Sequence, residues 1–263
     1  LELIEKYRVS FIPTAPASLL SILSLPDFKK YDCSSLRVVV TGGASAAIET
    51  IRAYQKHMSG HLLELYGMLE TGFHTFTRFD DDPEKVNGTI GRIVGQMKLR
   101  IIDEEGNDVP YGEEGEIAAY GPSVHLGYYN NPVANSELFT SDDWFRTGDL
   151  GRYVDDVGNV MIVGRRKEMI NRGGKKFFPR EIEEILYTHP AILHAAIVGI
   201  HDPRLGERNC LCIVLRDGAS FSLDDALGML KGQVADYKLP EAIEFFEELP
   251  FTPTGKIRRH VLT

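Results

Sequence analysis

The chain has 263 residues, and 29 Lys+Arg against 38 Asp+Glu leave a formal net charge of −9. With 43% hydrophobic and 25% charged residues it can bury a core as one large or two ordinary domains, which excludes a disordered tail. The acidic balance, without a basic stripe, argues against a general nucleic-acid binder.

In the first third, Leu1 to Arg8 reads as helix, Pro13 and Pro16 mark a break, and Ala17 to Leu25 has helical spacing. Leu36 to Thr41 is a short continuous apolar run, the mark of a strand buried on both faces, and it leads into Gly42-Gly43-Ala44. Ala46 to Met58 reads as helix and His61 to Tyr66 as the next strand. Strand, loop, helix, strand is the pattern of a βαβ unit in a parallel sheet, where ligands bind at the C-terminal strand ends. The middle third turns β-rich: Met97 to Asp103 and Gly115 to Tyr120 read as strands, and Tyr153 and Val160 to Val163 flank a hairpin turn with Gly158. This is a small barrel or a folded sheet. The last hundred residues read as a separate α+β unit. Its helices are Arg180 to His189, opened by Pro179, and Leu223 to Ala235; its strands are Ala195 to Ile200, Asn209 to Leu215 and Ala242 to Phe246. The basic cluster Gly164-Arg165-Arg166-Lys167 divides it from the rest. The longest strongly apolar stretches, such as Ala195 to Ile200, fall far short of the ~20 residues of a membrane span, and no basic-then-apolar leader pattern is present.

Three cysteines do not make a disulfide scaffold. Cys210 and Cys212, two apart on a strand, read as buried small hydrophobes rather than metal ligands, and a reducing, cytoplasmic compartment is the expectation. The eight histidines show no metal spacing.

Five segments carry chemistry, and four of them have a plain alternative. Thr252-Pro253-Thr254-Gly255-Lys256-Ile257 lacks the spacing and the Ser/Thr of a P-loop, so Lys256 alone reads as a solvated lysine on a terminal turn. Thr147-Gly148-Asp149 is either a common turn or a carboxylate set to accept from a sugar diol. Gly164 to Ile170 with Gly173-Gly174 is a charged linker with a flexible Gly pair, or an Arg contact to nucleotide beside backbone that a ligand approaches closely. Tyr66-Gly67-Met68-Leu69-Glu70 puts an acid just past a strand, either an exposed loop acid or a Mg²⁺ ligand beside a phosphate. Gly42-Gly43-Ala44 ends the first buried strand.

In order, Gly-Gly-Ala, YGMLE, WFRTGD, GRRKEMI with its Gly pair, and TPTGKI resemble the adenylate-forming enzyme superfamily of acyl- and aryl-CoA synthetases, luciferases and peptide-synthetase adenylation domains. The resemblance covers essentially the whole chain and looks closest to acyl-CoA or aryl-acid ligases. It implies an α/β fold in which part of a large N-terminal domain, with a parallel βαβ sheet over 1–86 and a small β-barrel over 87–163, precedes a small, mobile α+β C-terminal domain over 164–263. It implies activation of a carboxylic acid by ATP to an acyl-adenylate, then thioester formation with coenzyme A.

By that resemblance Gly42, Gly43 and Ala44 match the loop against adenine, Tyr66 the aromatic residue stacked by the base, and Gly67 the close approach beside it. Glu70 matches the Mg²⁺ acid, Asp149 the carboxylate on the ribose hydroxyls and Arg165 the arginine beside it. Lys256 matches the lysine on the reacting carboxylate and the α-phosphate, Lys167 the hinge, and Gly173-Gly174 the segment brought to the pantetheine tunnel. Phe73, His74 and Phe76 sit where they could border an acyl pocket for a medium-chain, alicyclic or aromatic acid.

Two departures stand out. Leu69 replaces a Thr whose hydroxyl contacts phosphate in the family. The family's Ser/Thr/Gly-rich phosphate loop belongs upstream of Leu1, which leads to the expectation that the chain is the C-terminal part of a longer enzyme and inactive alone. The alternatives are transfer of the acyl group to a carrier-protein pantetheine and a non-catalytic nucleotide-binding remnant of the fold.

Overall fold

The computed structural model describes residues 1–43, 48–82, 88–252 and 256–263. They divide into two compact units, Leu1–Ile162 and Val163–Thr263.

The first unit is α/β and opens with α1 (Glu2–Tyr7), β1 (Phe11–Thr14), α2 (Pro16–Ser24), β2 (Val38–Thr41), α3 (Ile48–His57), β3 (His61–Met68), β4 (Gly72–Phe76) and β5 (Arg92–Ile93). These strands form one sheet in the order β1-β2-β3-β4-β5. The first three run parallel and the last two antiparallel. The proline break expected at Pro13 is instead strand β1. Among the described residues β1 is an edge strand paired with β2, the position in a sheet that tolerates a proline without an N–H. Strand β2 is buried at Val39, Val40 and Thr41, as its continuous apolar run requires. Ile4, Leu19, Leu36, Val39 and Tyr54 pack into one core cluster.

A second sheet holds β6 (Lys98–Ile102), β7 (Gly115–Tyr120), β8 (Phe145–Tyr153) and β9 (Val160–Arg165), the first three in the first unit and β9 running across the unit boundary after Ile162, with α4 (Pro132–Leu138) between β7 and β8. The strands lie in the order β6-β7-β8-β9. The barrel or folded sheet expected here is, among the described residues, this four-stranded sheet. Ile101, Ile117 and Val160 form its core, and Tyr66 of β3 packs into the same cluster. Helix α4 falls where the sequence suggested only a Gly/Pro-rich stretch. Asn131 caps it by accepting from the Ala134 N–H at 3.2 Å, and Pro132 fills its first turn.

The second unit contains β10 (Ile170–Arg172), β11 (Lys175–Phe177), α5 (Pro179–Leu186), β12 (Ile192–Asp202), β13 (Gly206–Leu215), α6 (Leu223–Leu230) and β14 (Ala242–Phe245). Its sheet runs β11-β10-β13-β12, and β14 pairs parallel with β13. The period-two rule divides β12 and β13 between two faces. Ile197, Leu211 and Ile213 join Ile182, Leu186 and Leu230 on one; Ala196, Val198, Cys210, Cys212 and Val214 join Leu249 on the other. Helix α6 begins with a capping box in which Ser222 and Asp225 satisfy each other's backbone N–H. It ends at Leu230 rather than reaching Ala235, because Lys231 turns extended and Gly232 takes φ +81°. Cys33, Cys210 and Cys212 are all free and buried. No helix among the described residues is long and apolar enough to cross a membrane.

Candidate functional site

In the first unit, Tyr66 and Asp149 meet although 83 residues separate them. The Tyr66 O–H donates to Asp149 Oδ2 at 2.8 Å, and both residues are buried. Asp149 is not on an exposed turn; it lies inside β8. The β7–β8 register shifts between Glu116 and Ala118, so that Leu150 faces Glu116 and Arg146 faces Ala118. Thr147, Gly148 and Asp149 thus bulge out opposite Ile117. The Thr147 hydroxyl donates to the Ile117 carbonyl at 2.7 Å and accepts from the Asp149 N–H at 3.2 Å. The Gly148 N–H donates to Glu116 Oε1 at 3.0 Å, and Gly148 takes φ +73°. Arg146 holds the other oxygen of Glu116 at 2.9 Å. The Thr-Gly-Asp segment is therefore a bulge that aims one carboxylate at Tyr66.

The Tyr66 ring also stacks on His74, with centroids 6.1 Å apart and planes at 18°. His74 is fully buried on β4, and among the described residues neither ring nitrogen has a hydrogen-bond partner. Burial pulls its pKa down to about 4, so the ring is neutral at pH 7. It backs Tyr66 in the core and does not face outward with Phe73, which is exposed and meets Phe76 edge to face at 6.0 Å.

Gly42 and Gly67 are required by space. A Cβ on Gly42 would stand 2.6 Å from Leu65 Cγ, and one on Gly67 would stand 2.1 Å from the Gly72 carbonyl oxygen. Gly43 follows in a left-handed conformation, φ +79°. Ala44 lies outside the described residues.

Glu70 occupies the turn between β3 and β4. Its Oε1 accepts from the Tyr128 O–H at 2.6 Å, and its backbone carbonyl accepts from the His125 N–H at 2.7 Å. The phenol hydrogen bond holds the Glu70 carboxyl below the usual carboxylate range, against the upward pull of burial. Leu69 beside it is fully exposed. Among the described residues no group of three His, Cys, Asp or Glu stands ready to hold a metal alone. One ionised carboxylate fits Mg²⁺ that arrives with phosphate oxygens as its other ligands.

In the second unit, Lys167 is exposed in the short helix Arg166–Glu168, directly after Arg165 at the end of β9. Gly173 and Gly174 are the two-residue turn between β10 and β11, with φ +60° and +83°. That pair of positive φ values is the primed hairpin turn, which accounts for both glycines. Lys256 is half-buried at the foot of a small hairpin. Phe251 bridges Ile257 antiparallel, the Thr252 N–H donates to the Lys256 carbonyl at 2.7 Å, and the Lys256 N–H donates to Thr252 Oγ1 at 3.0 Å. Residues 253–255 lie outside the described residues.

Sequence reading missed Tyr128 and Arg259. Tyr128 sits in an unremarkable Gly-Tyr-Tyr stretch and gains its meaning only when the chain brings it to Glu70. Arg259 sits in an ordinary Arg-Arg pair.

The comparisons with known proteins agree on one group. The family model described as AMP-binding enzyme matches residues 1–129, and that of the AMP-binding enzyme C-terminal domain matches residues 181–256. Medium-chain acyl-CoA ligase ACSF2, mitochondrial, of Macaca fascicularis is 36% identical over 265 residues, covering 100% of this chain and 43% of its own length. The 2-hydroxy-7-methoxy-5-methyl-1-naphthoate–CoA ligase of Streptomyces carzinostaticus is 38% identical over 263 residues, covering 99% and 47%. The crystal structure of ATP-bound MatB from Rhodopseudomonas palustris superposes with a TM-score of 0.92 at 30% identity, covering 99% of this chain and 51% of that one. The chain thus spans about half the length of the relatives it matches.

Proposed function

This chain belongs to the AMP-binding enzyme family, and from that premise we propose that the polypeptide carrying it is an ATP-dependent carboxylic acid–CoA ligase. The observation that carries the proposal is the buried Tyr66–Asp149 contact, with Asp149 aimed by the β8 bulge. A carboxylate fixed beside an aromatic ring suits a nucleoside, because the acid accepts from the ribose hydroxyls while the ring lies against the base. That both relatives are acid–CoA ligases supports the choice of reaction.

In the proposed sequence a substrate carboxylate oxygen attacks the α-phosphorus of ATP, and the bond to pyrophosphate breaks. The thiol sulfur of coenzyme A then attacks the acyl carbonyl carbon, and AMP leaves with the electron pair. The first step brings two anions together and builds negative charge on phosphate oxygens. The Lys256 ammonium offsets that repulsion and stabilises that charge. Glu70, kept ionised by Tyr128, is the protein ligand for Mg²⁺, which neutralises phosphate charge when bound. Arg165 supports the nucleotide. Lys167 is the residue about which the second unit changes its orientation between the steps, and the Gly173–Gly174 turn meets the pantetheine arm. The exposed phenyl of Phe73 suits an apolar acid of the medium-chain, alicyclic or aromatic class. A reducing compartment, the cytoplasm, completes the proposal on the strength of three free cysteines.

The test is direct. The polypeptide carrying this chain is incubated with ATP, Mg²⁺, coenzyme A and a panel of carboxylic acids, and thioesters are sought by mass. One acid class is expected to give a thioester, and Lys256→Ala to slow adenylate formation about 10²–10³-fold. Acyl-AMP without acyl-CoA would move the acceptor to a carrier-protein pantetheine. Neither product from any acid would leave the non-catalytic reading in its place.

A further inference from the structure

Arg259 lies three residues beyond Lys256 and opens the short helix Arg259–Val261. Among the described residues its guanidinium makes four contacts, all within the second unit. Nη1 and Nη2 donate to the two carboxylate oxygens of Glu183 at 2.6 and 2.8 Å. Nη1 also donates to the Ile197 carbonyl at 3.0 Å. Nε stands 3.3 Å from Glu168 Oε2. Glu183 is buried on α5, and its Oε1 accepts from the Ile197 N–H at 2.6 Å as well. Glu168 is the last residue of the short helix that contains Lys167.

Three separate pieces of chain therefore meet on one side chain that also continues from the Lys256 hairpin. Helix α5 and strand β12 do not need it to stay together, since Ile182, Leu186 and Ile197 already pack there. The hairpin has apolar anchors of its own: Phe251 and Ile257 pack against the cluster around Leu249. Apolar contacts hold without fixing direction. A bidentate guanidinium–carboxylate pair fixes direction, because both groups are planar and two bonds must be satisfied at once. Burial alone would draw the Arg259 pKa down, but the charge and hydrogen bonds of Glu183, with Glu168 behind them, hold it above the ordinary range. The fork therefore stays charged at every working pH.

We propose that Arg259 is a positioning residue whose guanidinium ties the Lys256 hairpin to the Arg166–Glu168 helix and to α5, and so sets where the Lys256 ammonium lies for adenylate formation. The proposal rests on Lys256 being the adenylation lysine. It separates the two half-reactions, because thioester formation does not use that ammonium.

The experiment compares Lys256→Ala, Arg259→Met, Arg259→Lys and Glu168→Gln in the polypeptide carrying this chain. It reads acid-dependent exchange of pyrophosphate into ATP, acyl-CoA formation from supplied acyl-AMP, and the melting curve. Arg259→Met is expected to lower the exchange rate about 10–100-fold, chiefly in kcat, the scale of a misplacement near 1 Å. It should leave the reaction of supplied acyl-AMP within about 3-fold of wild type, on the same principle that only the misplaced group suffers. Arg259→Lys is expected to recover part of the exchange, and Glu168→Gln to lose several-fold with the Glu183 pair still in place. Should Arg259→Met fail to fold, Glu168→Gln and Arg259→Lys decide alone. Wild-type exchange in the Arg259 and Glu168 variants, with exchange lost in Lys256→Ala, would overturn the positioning role. Equal loss of both half-reactions would also overturn it, since that is what plain destabilisation does. Exchange that survives Lys256→Ala would instead bring down the Lys256 reading beneath it.

Discussion

His74 shows what burial does to a single ring. Unfolded it titrates near 6.5, and folded at about 4, so acid protonates the unfolded chain first. The stability linked to this residue is complete above pH ~6.5 and is lost as pH falls towards 4, by about 3 kcal/mol in all. Replacing it with a ring that cannot titrate removes the dependence. In His74→Phe the melting temperature should fall less between pH 7 and pH 4.5 than in the wild type; identical slopes would place the titration elsewhere. The Tyr66 hydroxyl gives a second expectation. Tyr66→Phe leaves a buried carboxylate oxygen without its 2.8 Å donor, a loss of about 1.5–3 kcal/mol for a bond to a charged group. Calorimetry should show a lower melting temperature and weaker ATP binding. Neither partner's sequence neighbourhood announces the other. The segment of Asp149 suggested a sugar-diol acceptor and the resemblance added a nucleotide role for Tyr66, but the direct contact between the two was not legible at all.

The β8 bulge is the element on which the proposed site depends, and Gly148 is where it can be tested. A Cβ added there would meet nothing within 4 Å, so the only obstacle is its φ of +73°. Gly148→Ala should cost about 1–2 kcal/mol, the left-handed penalty, and weaken ATP binding as the bulge relaxes. Unchanged binding would mean that Asp149 is aimed by other means. Gly67→Ala is a harsher change, because its Cβ would meet the Gly72 carbonyl at 2.1 Å; about 1–3 kcal/mol or more is expected, read from the melt. The elements themselves were legible to different degrees. Strands β2, β12 and β13 were plain from their apolar runs, since both of their faces are covered. Strand β1 was hidden by Pro13, which only an edge position tolerates. Strand β4 was hidden because its partners, β3 and β5, are separate segments before and after it in the chain. Helix α4 was hidden by the Asn-Pro pair that caps it, which also reads as a turn. In each case the missing information was non-local: which strand lies at an edge, and which segment supplies the partner.

Across the whole molecule, the second unit carries its own two-sided core, with Ile197 and Leu211 on one face and Val198 and Cys210 on the other. A polypeptide of residues 163–263 should therefore fold alone and unfold in one cooperative step, as circular dichroism during heating would show. A broad, gradual loss of signal would mean that it borrows stability from elsewhere. The order of motifs along the chain told more about the molecule than any one of them, because each is short and common while their sequence is neither. The three thiols have a further use. Cys33 is buried in the first unit, and Cys210 and Cys212 in the second. Closed, the protein should resist an alkylating reagent; each unit becomes modifiable only when it opens. Intact mass then counts the event directly: one adduct marks breathing of the first unit, two mark the second, and their separate rates give the lifetime of each fold without an introduced probe.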